Sequence, residues 1–326
     1  MSQTTPESVK KDGKAGHSAP PAGHHAEDHG HGGHGHGSPD EYPFLAHHFD
    51  SPQQQFDAGK LGIWLFLLTE VLFFAGLFVA YSVYRAMRPE VFVYAHYFLD
   101  TNLGAVNTCV LLISSLTAAW AVRNAQLGQK SMLIANIVIT IACACTFMVV
   151  KYFEYSHKVH DGLLWGPNFA PKHQVYELPI FKKKHPEAAE YAEHLLKQKA
   201  EKAKAAAAPA PAAGAQPAAP VVERTPTREE VEPLLAAGMI GPKANDPDGV
   251  SYPRNAHVFF SIYFFMTGLH GIHVLVGIGI FVWLLIRATK GVFGPQYFGP
   301  IDYAALYWHL VDLIWIYLFP LLYLIH

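Results

Sequence analysis

Three histidines and two carboxylates lie well inside apolar stretches of this sequence, and they are the residues whose chemistry the chain could use within a membrane. Burying an imidazole or a carboxylate in hydrocarbon is costly, so such side chains usually face the interior of a helix bundle and meet a polar partner there. The five are Glu70 in LLTEVLFFAGLF (67–78), His270 and His273 in MTGLHGIHVLVG (266–277), and His309 and Asp312 in YWHLVDLIWIY (307–317). We therefore expect buried hydrogen bonds between helices at these positions.

Glu70 is the tenth residue of the apolar stretch 61–84. That position is roughly 15 Å along a helix and so near the middle of a membrane. Because an unpaired carboxylate is costly at this depth, we expect Glu70 to bond to another helix through His270 or His273. A single carboxylate does not make a proton path. The residue is therefore interpreted as a contact that fixes helix packing, with a proton relay as the alternative.

The other four residues form two pairs with i, i+3 spacing, which places the members of each pair on one helix face. The pair of His309 and Asp312 predicts either an aspartate that orients a histidine ring and stabilises its charge, or a polar contact that holds helices together. Histidines on two facing helices, such as His273 and His309, could instead ligate haem, so a stand-alone membrane b-type cytochrome is one alternative function. Zinc-peptidase chemistry is disfavoured because the sequence contains no HExxH motif.

A second group of histidines lies in the polar N-terminal segment HSAPPAGHHAEDHGHGGHGHG (17–37). Imidazole nitrogens suit copper, nickel and zinc ions, so the segment predicts a weak metal site. Metal sequestration or delivery is one interpretation, and a solvated tail is the other. The candidate ligands are His24, His25, His29, His31, His34 and His36.

Composition predicts a membrane protein. Of the 326 residues, 51% are hydrophobic and only 15% are charged. A helix needs about 20 apolar residues to cross about 30 Å of hydrocarbon. Five stretches reach that length, at about 61–84, 102–122, 131–151, 256–286 and 303–325. The predicted fold is therefore all-α, a polytopic membrane bundle of five transmembrane helices, and the net charge of −2 gives no indication of nucleic-acid binding.

The apolar stretches divide the chain into four regions. We expect a disordered His/Gly/Pro-rich tail at 1–45, membrane helices one to three at 46–162, an extramembrane insert at 163–254, and helices four and five at 255–326. Within the insert, the Ala-, Glu- and Lys-rich segment 185–208 predicts a helix docked on another subunit, followed by an Ala/Pro linker. The polar run from Lys151 to Gly162 is read as the end of helix three.

Four segments occur in an order and spacing typical of one family: TEVLFF (69–74), NTCVLLISS (107–115), FFMTGLHGIHVLVG (264–277) and YWHLVD (307–312). On these segments the chain resembles subunit III of the haem-copper terminal oxidases, in its five-helix form. The resemblance extends over about 60–162 and 254–325. Neither the N-terminal tail nor the insert is part of it.

The resemblance implies a non-catalytic subunit of an oxidase that reduces oxygen to water and pumps protons, with electrons from cytochrome c or quinol. The haems and copper then belong to partner subunits, chiefly subunit I, and subunit II is a further expected neighbour. Because the family binds phospholipid in a cleft, the resemblance implies that the five buried residues are structural or lipid-associated. It also implies that Glu70 matches a glutamate of the family known for carbodiimide reactivity. A bacterial inner membrane, a cytoplasmic N-terminus and an external C-terminus are also implied.

Two departures from the family pattern stand out. The chain lacks the first two helices of the seven-helix members, so a partner chain would have to complete the lipid cleft. Val79 and Val83 occupy positions where many members carry tryptophan and histidine. The first alternative to an oxidase subunit is a subunit III-like protein of a nitric oxide reductase, and the b-type cytochrome is the second.

Overall fold

The structure is a computed structural model that describes residues 45–324, apart from residue 47, residues 208–225 and residue 248. The histidine-rich tail and the Ala/Pro linker therefore lie outside the described residues. Five of the described helices are long and apolar enough to span a membrane, as predicted. They are α1 (Pro52–Met87), α3 (Thr101–Gln126), α4 (Lys130–His160), α8 (Ala256–Thr289) and α9 (Gly299–Tyr323).

Local sequence signals determine several helix ends. Ser51 caps α1 by accepting a hydrogen bond from the amide of Gln54, and Pro52 occupies the first turn, where its missing amide hydrogen costs nothing. Pro89 separates α1 from the short helix α2 (Pro89–Ala95), since the residue before a proline is kept out of helical conformation. Gly128, at φ 70°, turns the chain between α3 and α4.

Four spanning helices, α3, α4, α8 and α9, form a bundle, while α1 packs at its side against α9. Only 11% of the apolar stretch of α1 is buried within this chain, compared with 50% for α9. Trp308 and Trp315 of α9 are fully buried in the bundle. Gly277 gives Trp308 its space, because a Cβ atom at position 277 would lie 2.4 Å from the indole ring.

The insert folds against the membrane part of the same chain. Helices α5 (Pro179–Lys184), α6 (Pro186–Ala207) and α7 (Arg228–Ala236) share a second apolar core with α2. The expected helix at 185–208 is thus present as α6, but it docks on α7 of its own chain. Buried Glu90 of α2 adds an ionic contact, with its carboxylate 3.2 Å from the Lys243 ammonium.

Helix three ends within the polar run, as predicted. α4 continues beyond the apolar stretch 131–151 to His160, and Asp161 and Gly162 follow it. The physical reason is that the charged residues of this run lie on one helix face and are neutralised by partners inside the bundle, as described below.

Candidate functional site: the polar residues inside the bundle

Glu70 and His273 join α1 to α8. The two are in hydrogen-bond contact, at 3.0 Å between Glu70 Oε2 and His273 Nε2. His273 Nδ1 lies 2.8 Å from the Leu269 carbonyl oxygen, which can only accept, so Nδ1 carries a hydrogen. Nε2 then either accepts a proton from the Glu70 carboxylic acid or donates one to its carboxylate. In both states the pair as a whole is neutral and shares one proton, and the predicted contact between Glu70 and a histidine of this segment is confirmed.

The second histidine of this segment has different surroundings. His270 is buried between the rings of Phe147 and Trp315, whose centroids lie 5.6 and 5.2 Å from its own. Neither of its ring nitrogens has a hydrogen-bond partner among the described residues. The i, i+3 spacing therefore does not bring His270 and His273 to a common partner.

On α9, His309 and Asp312 do not form the predicted direct contact. His309 Nδ1 instead lies 2.6 Å from the hydroxyl of Ser115 on α3. Asp312 is also close to Ser115, yet neither of its carboxylate oxygens meets hydrogen-bond geometry with a described residue. The partner of His309 is therefore the Ser115 hydroxyl on the neighbouring helix, and not Asp312 as the spacing had predicted.

This geometry weighs against the b-type cytochrome. Two haem-ligating histidines must face each other across a gap at matched depth. His273 is directed to Glu70 on α1, whereas His309 is directed to Ser115 on α3. Both ring nitrogens of His273 thus contact protein groups, and the Nδ1 atom of His309 is directed to a different helix.

The largest polar cluster lies towards the insert side of the bundle, and the sequence analysis missed it. Glu154 of α4 accepts hydrogen bonds from Lys151 at 2.7 Å and from Lys158 at 2.8 Å, and all three side chains are buried. The hydroxyls of Tyr263 on α8 and Tyr323 on α9 also donate to Glu154, at 2.8 and 2.5 Å. We call these five residues the Glu154 cluster.

The Glu154 cluster links three helices through one carboxylate. Buried charges lose their hydration, and only close partners with good geometry compensate for that loss. Lys151 has further partners in the Tyr323 hydroxyl, at 2.7 Å, and in the Trp315 ring, whose centre is 4.4 Å from its ammonium. The i, i+3 and i, i+7 spacing of Lys151, Glu154 and Lys158 was the available signal, but the run was read as a polar helix end.

Metal ligation receives no geometric support in the described part of the chain, where no three residues of the types His, Cys, Asp or Glu are grouped to hold an ion. The six N-terminal histidines proposed as ligands lie outside that part.

A groove between α1 and the bundle has His273, the partner of Glu70, in its lining. Its volume is about 450 Å³, and its lining is almost entirely apolar, including Ile63, Phe66, Trp283 and Tyr307. A second cavity, of about 700 Å³, lies at the start of α1. Pro300 and Tyr303 line both, so the two spaces adjoin.

Comparison with known proteins agrees with this architecture. Residues 41–169 and 242–326, well over half of the chain, match the family model described as cytochrome c oxidase subunit III. The chain is 22% identical over 275 residues to quinol oxidase subunit 3 of Bacillus spizizenii, covering 83% of this chain and 91% of that protein. It is 23% identical over 266 residues to a probable cytochrome c oxidase subunit 3 of Nocardia farcinica, covering 82% and 87%. With cytochrome c oxidase subunit 3 of Loxodonta africana the identity is 23% over 291 residues, covering 87% and 74%.

Proposed function

Because the chain belongs to the cytochrome c oxidase subunit III family, we propose that it is the non-catalytic subunit III of a respiratory terminal oxidase that reduces oxygen to water and pumps protons. The single observation that carries the proposal is the family match across all five membrane helices. The geometry supports a structural role, since His273 and His309 are bonded to other helices of this chain. Haem and copper then belong to partner subunits I and II.

The surface supports a role in a complex. The outward face of α1 exposes large apolar side chains over most of its length, including Leu61, Trp64, Leu68, Leu72 and Val79. In a membrane this face meets lipid or an apolar partner. We place subunit I among its neighbours, with electrons reaching the complex from cytochrome c or quinol. Similar proteins carry both names, quinol oxidase subunit 3 and cytochrome c oxidase subunit 3.

Phospholipid is the proposed ligand of this subunit. The groove beside α1 has an apolar lining that suits an acyl chain, and the adjoining cavity adds the polar side chains of Gln53, Gln55 and Gln296. Glu70, His270, His273, His309 and Asp312 are then packing or lipid-associated residues, and none is assigned to catalysis. The subunit would support subunit I through packing, bound lipid and access for oxygen and protons.

The proposed location is a bacterial inner membrane, with the N-terminus cytoplasmic. Five crossings place the two ends of a chain on opposite sides, so the C-terminus would lie outside. The insert follows the third crossing and shares that external side.

Purification of the complex through a tag on this chain tests the function. An oxidase subunit III should bring down a subunit with low-spin haem and a haem-copper centre, and the complex should consume oxygen. A complex that reduces nitric oxide instead would identify the reductase alternative. Haem bound to this chain alone would identify the cytochrome.

A further inference from the structure

The imidazole of His309 reaches the outer surface of the bundle near the middle of the membrane. His309 is the eleventh of the 25 residues of α9, and its side chain is half-buried. Its Nδ1 atom meets the Ser115 hydroxyl of α3 at 2.6 Å. Among the described residues its Nε2 atom has no hydrogen-bond partner, and this atom is not among those that the bundle encloses. The Nε2 atom therefore opens onto the surface where α3 and α9 meet.

Several other polar side chains on the outer surfaces of the spanning helices have partners within the chain. Glu70 and His273, which are partly exposed, bond to each other. Three hydroxyl groups donate to carbonyl oxygens of their own helices, those of Thr69, Ser82 and Thr146. His309 differs because an imidazole has two distinct ring nitrogens, and Ser115 meets only one of them.

Lipid does not supply the missing partner of His309 at this depth. Acyl chains carry neither donors nor acceptors, and the head groups begin roughly 15 Å from the middle of the hydrocarbon. A polar group that stays unpaired in hydrocarbon is costly, and membrane helices avoid that cost through hydrogen bonds to polar side chains of neighbouring helices. The open nitrogen of His309 is therefore best explained by a protein neighbour.

The surface around His309 suits a helix. Residues 309, 313 and 316 of α9 have i, i+4, i+7 spacing, as have residues 112, 116 and 119 of α3, so each set lies on one helix face. The contact between Ser115 and His309 brings these two faces side by side, and we call them together the α3–α9 face. Its large apolar side chains are exposed, namely Leu112, Leu116, Leu313 and Ile316. The α3–α9 face is thus an apolar surface with one polar atom near its middle.

We propose that the α3–α9 face docks a transmembrane helix of a partner subunit, and that this helix presents a hydrogen-bonding side chain to His309 Nε2. The apolar side chains supply packing, and the polar contact fixes the depth of the partner helix. None of the residues that form the α3–α9 face lines the groove beside α1 or its adjoining cavity. The inference rests on the proposed function, because the partner is another membrane subunit of the same complex.

Photo-cross-linking in native membranes tests the docking. Leu313 is replaced by benzoylphenylalanine, the membranes are irradiated, and the product is mapped by mass spectrometry. We expect a cross-link to a membrane helix of another subunit, with a polar residue within one turn of the attachment point. The same probe at Ile139 is the matched control, because Ile139 is exposed on α4, which lies diagonally across the bundle from α9. It should not give this product.

Three results would overturn the docking: cross-links from position 313 to lipid or to this chain's own helices alone, cross-links to a second copy of this chain, or the same product from position 139. Any of them in a complex that reduces oxygen would refute the docking and leave the proposed function intact. A docked partner helix in a complex with another activity would refute only the proposed function.

Two variants of the purified complex separate docking from packing within the chain. His309→Leu and Ser115→Ala both remove the bond between α9 and α3, but only His309→Leu also removes the bond at Nε2. The amount of this chain that stays with the complex in detergent should be about two- to tenfold lower in His309→Leu than in Ser115→Ala, as expected for one further hydrogen bond. His309→Gln, which keeps a donor and an acceptor, should be retained better than His309→Leu. Equal retention of His309→Leu and Ser115→Ala would contradict docking through Nε2.

Discussion

The Glu70–His273 pair and the Glu154 cluster connect membrane helices in opposite ways. Among the described residues Glu70 has one side-chain partner, and the side chains of the pair retain 19% and 18% exposure. Glu154 has four partners on three helices and is closed off from the surroundings. A single polar link permits a helix to remain at the edge of a bundle, whereas a saturated ionic cluster fixes the helices that it joins.

The largest effect should come from breaking the cluster. Glu154→Gln leaves two ammonium groups in the core without their carboxylate, and removing one member of a buried ionic group costs about 3–5 kcal/mol. We expect a strong fall in the thermal midpoint and yield of the complex. Glu201→Gln, on the exposed surface of α6, is the matched control.

Replacing the charges together separates pairing from packing. A triple variant that combines Lys151→Met, Glu154→Leu and Lys158→Met removes all three charges. Much of the stability that Glu154→Gln loses should therefore return in this variant. A Glu154→Gln variant as stable as wild type would show that the Glu154 cluster does not hold the bundle together.

A smaller effect is expected where α8 meets α9. Gly277→Ala places a methyl group against Trp308, and overpacking a core costs about 1–3 kcal/mol. Gly279→Ala on the same helix meets nothing within 4 Å and should be neutral or slightly stabilising. Equal midpoints for the two variants would contradict the close approach of α8 and α9.

The sequence allowed only part of this arrangement to be predicted. Spacing and hydropathy predicted five helices, the depth of Glu70 and its histidine partner, because those follow from the length of a helix and the cost of an isolated carboxylate. They did not reveal the cluster, since the tyrosines that complete it come from residues 263 and 323, more than a hundred positions away. A run of charges near a helix end looks the same whether it is solvated or enclosed.

The pairing of His309 was mispredicted for a related reason. Spacing shows which residues share a helix face, but the hydroxyl of Ser115 comes from another helix. Only the packing of α3 on α9 decides which partner is nearer.

At the Glu70–His273 pair, we expect a larger effect on carbodiimide labelling than on the stability of the complex. Glu70 is partly exposed and bonds to His273, which lines the apolar groove, so a hydrophobic carbodiimide should reach and modify Glu70 in the wild-type complex. Glu70→Gln should abolish that labelling and lower stability by only about 1 kcal/mol, the net value of one hydrogen bond. Undiminished labelling of this chain in Glu70→Gln would show that another carboxyl group reacts.

The smallest effect on the complex should follow removal of residues 1–40. The membrane helices begin beyond this segment, so insertion and stability should not change, whereas binding of Cu(II) or Zn(II) to the purified chain should fall with the loss of clustered imidazoles. Metal titration before and after deletion measures this. A fall in the copper content of the complex would indicate copper delivery, and unchanged content would favour a solvated extension.

Deleting the whole subunit tests the central claim most directly. Oxygen consumption and haem spectra are measured in membranes from a strain without this chain and from the same strain with the chain restored. If the chain is a supporting subunit, oxygen consumption slows or becomes less durable, yet continues, and every haem signal persists. Loss of one entire haem signal while the other subunits remain assembled would mean that a histidine of this chain ligates iron, and would contradict the account.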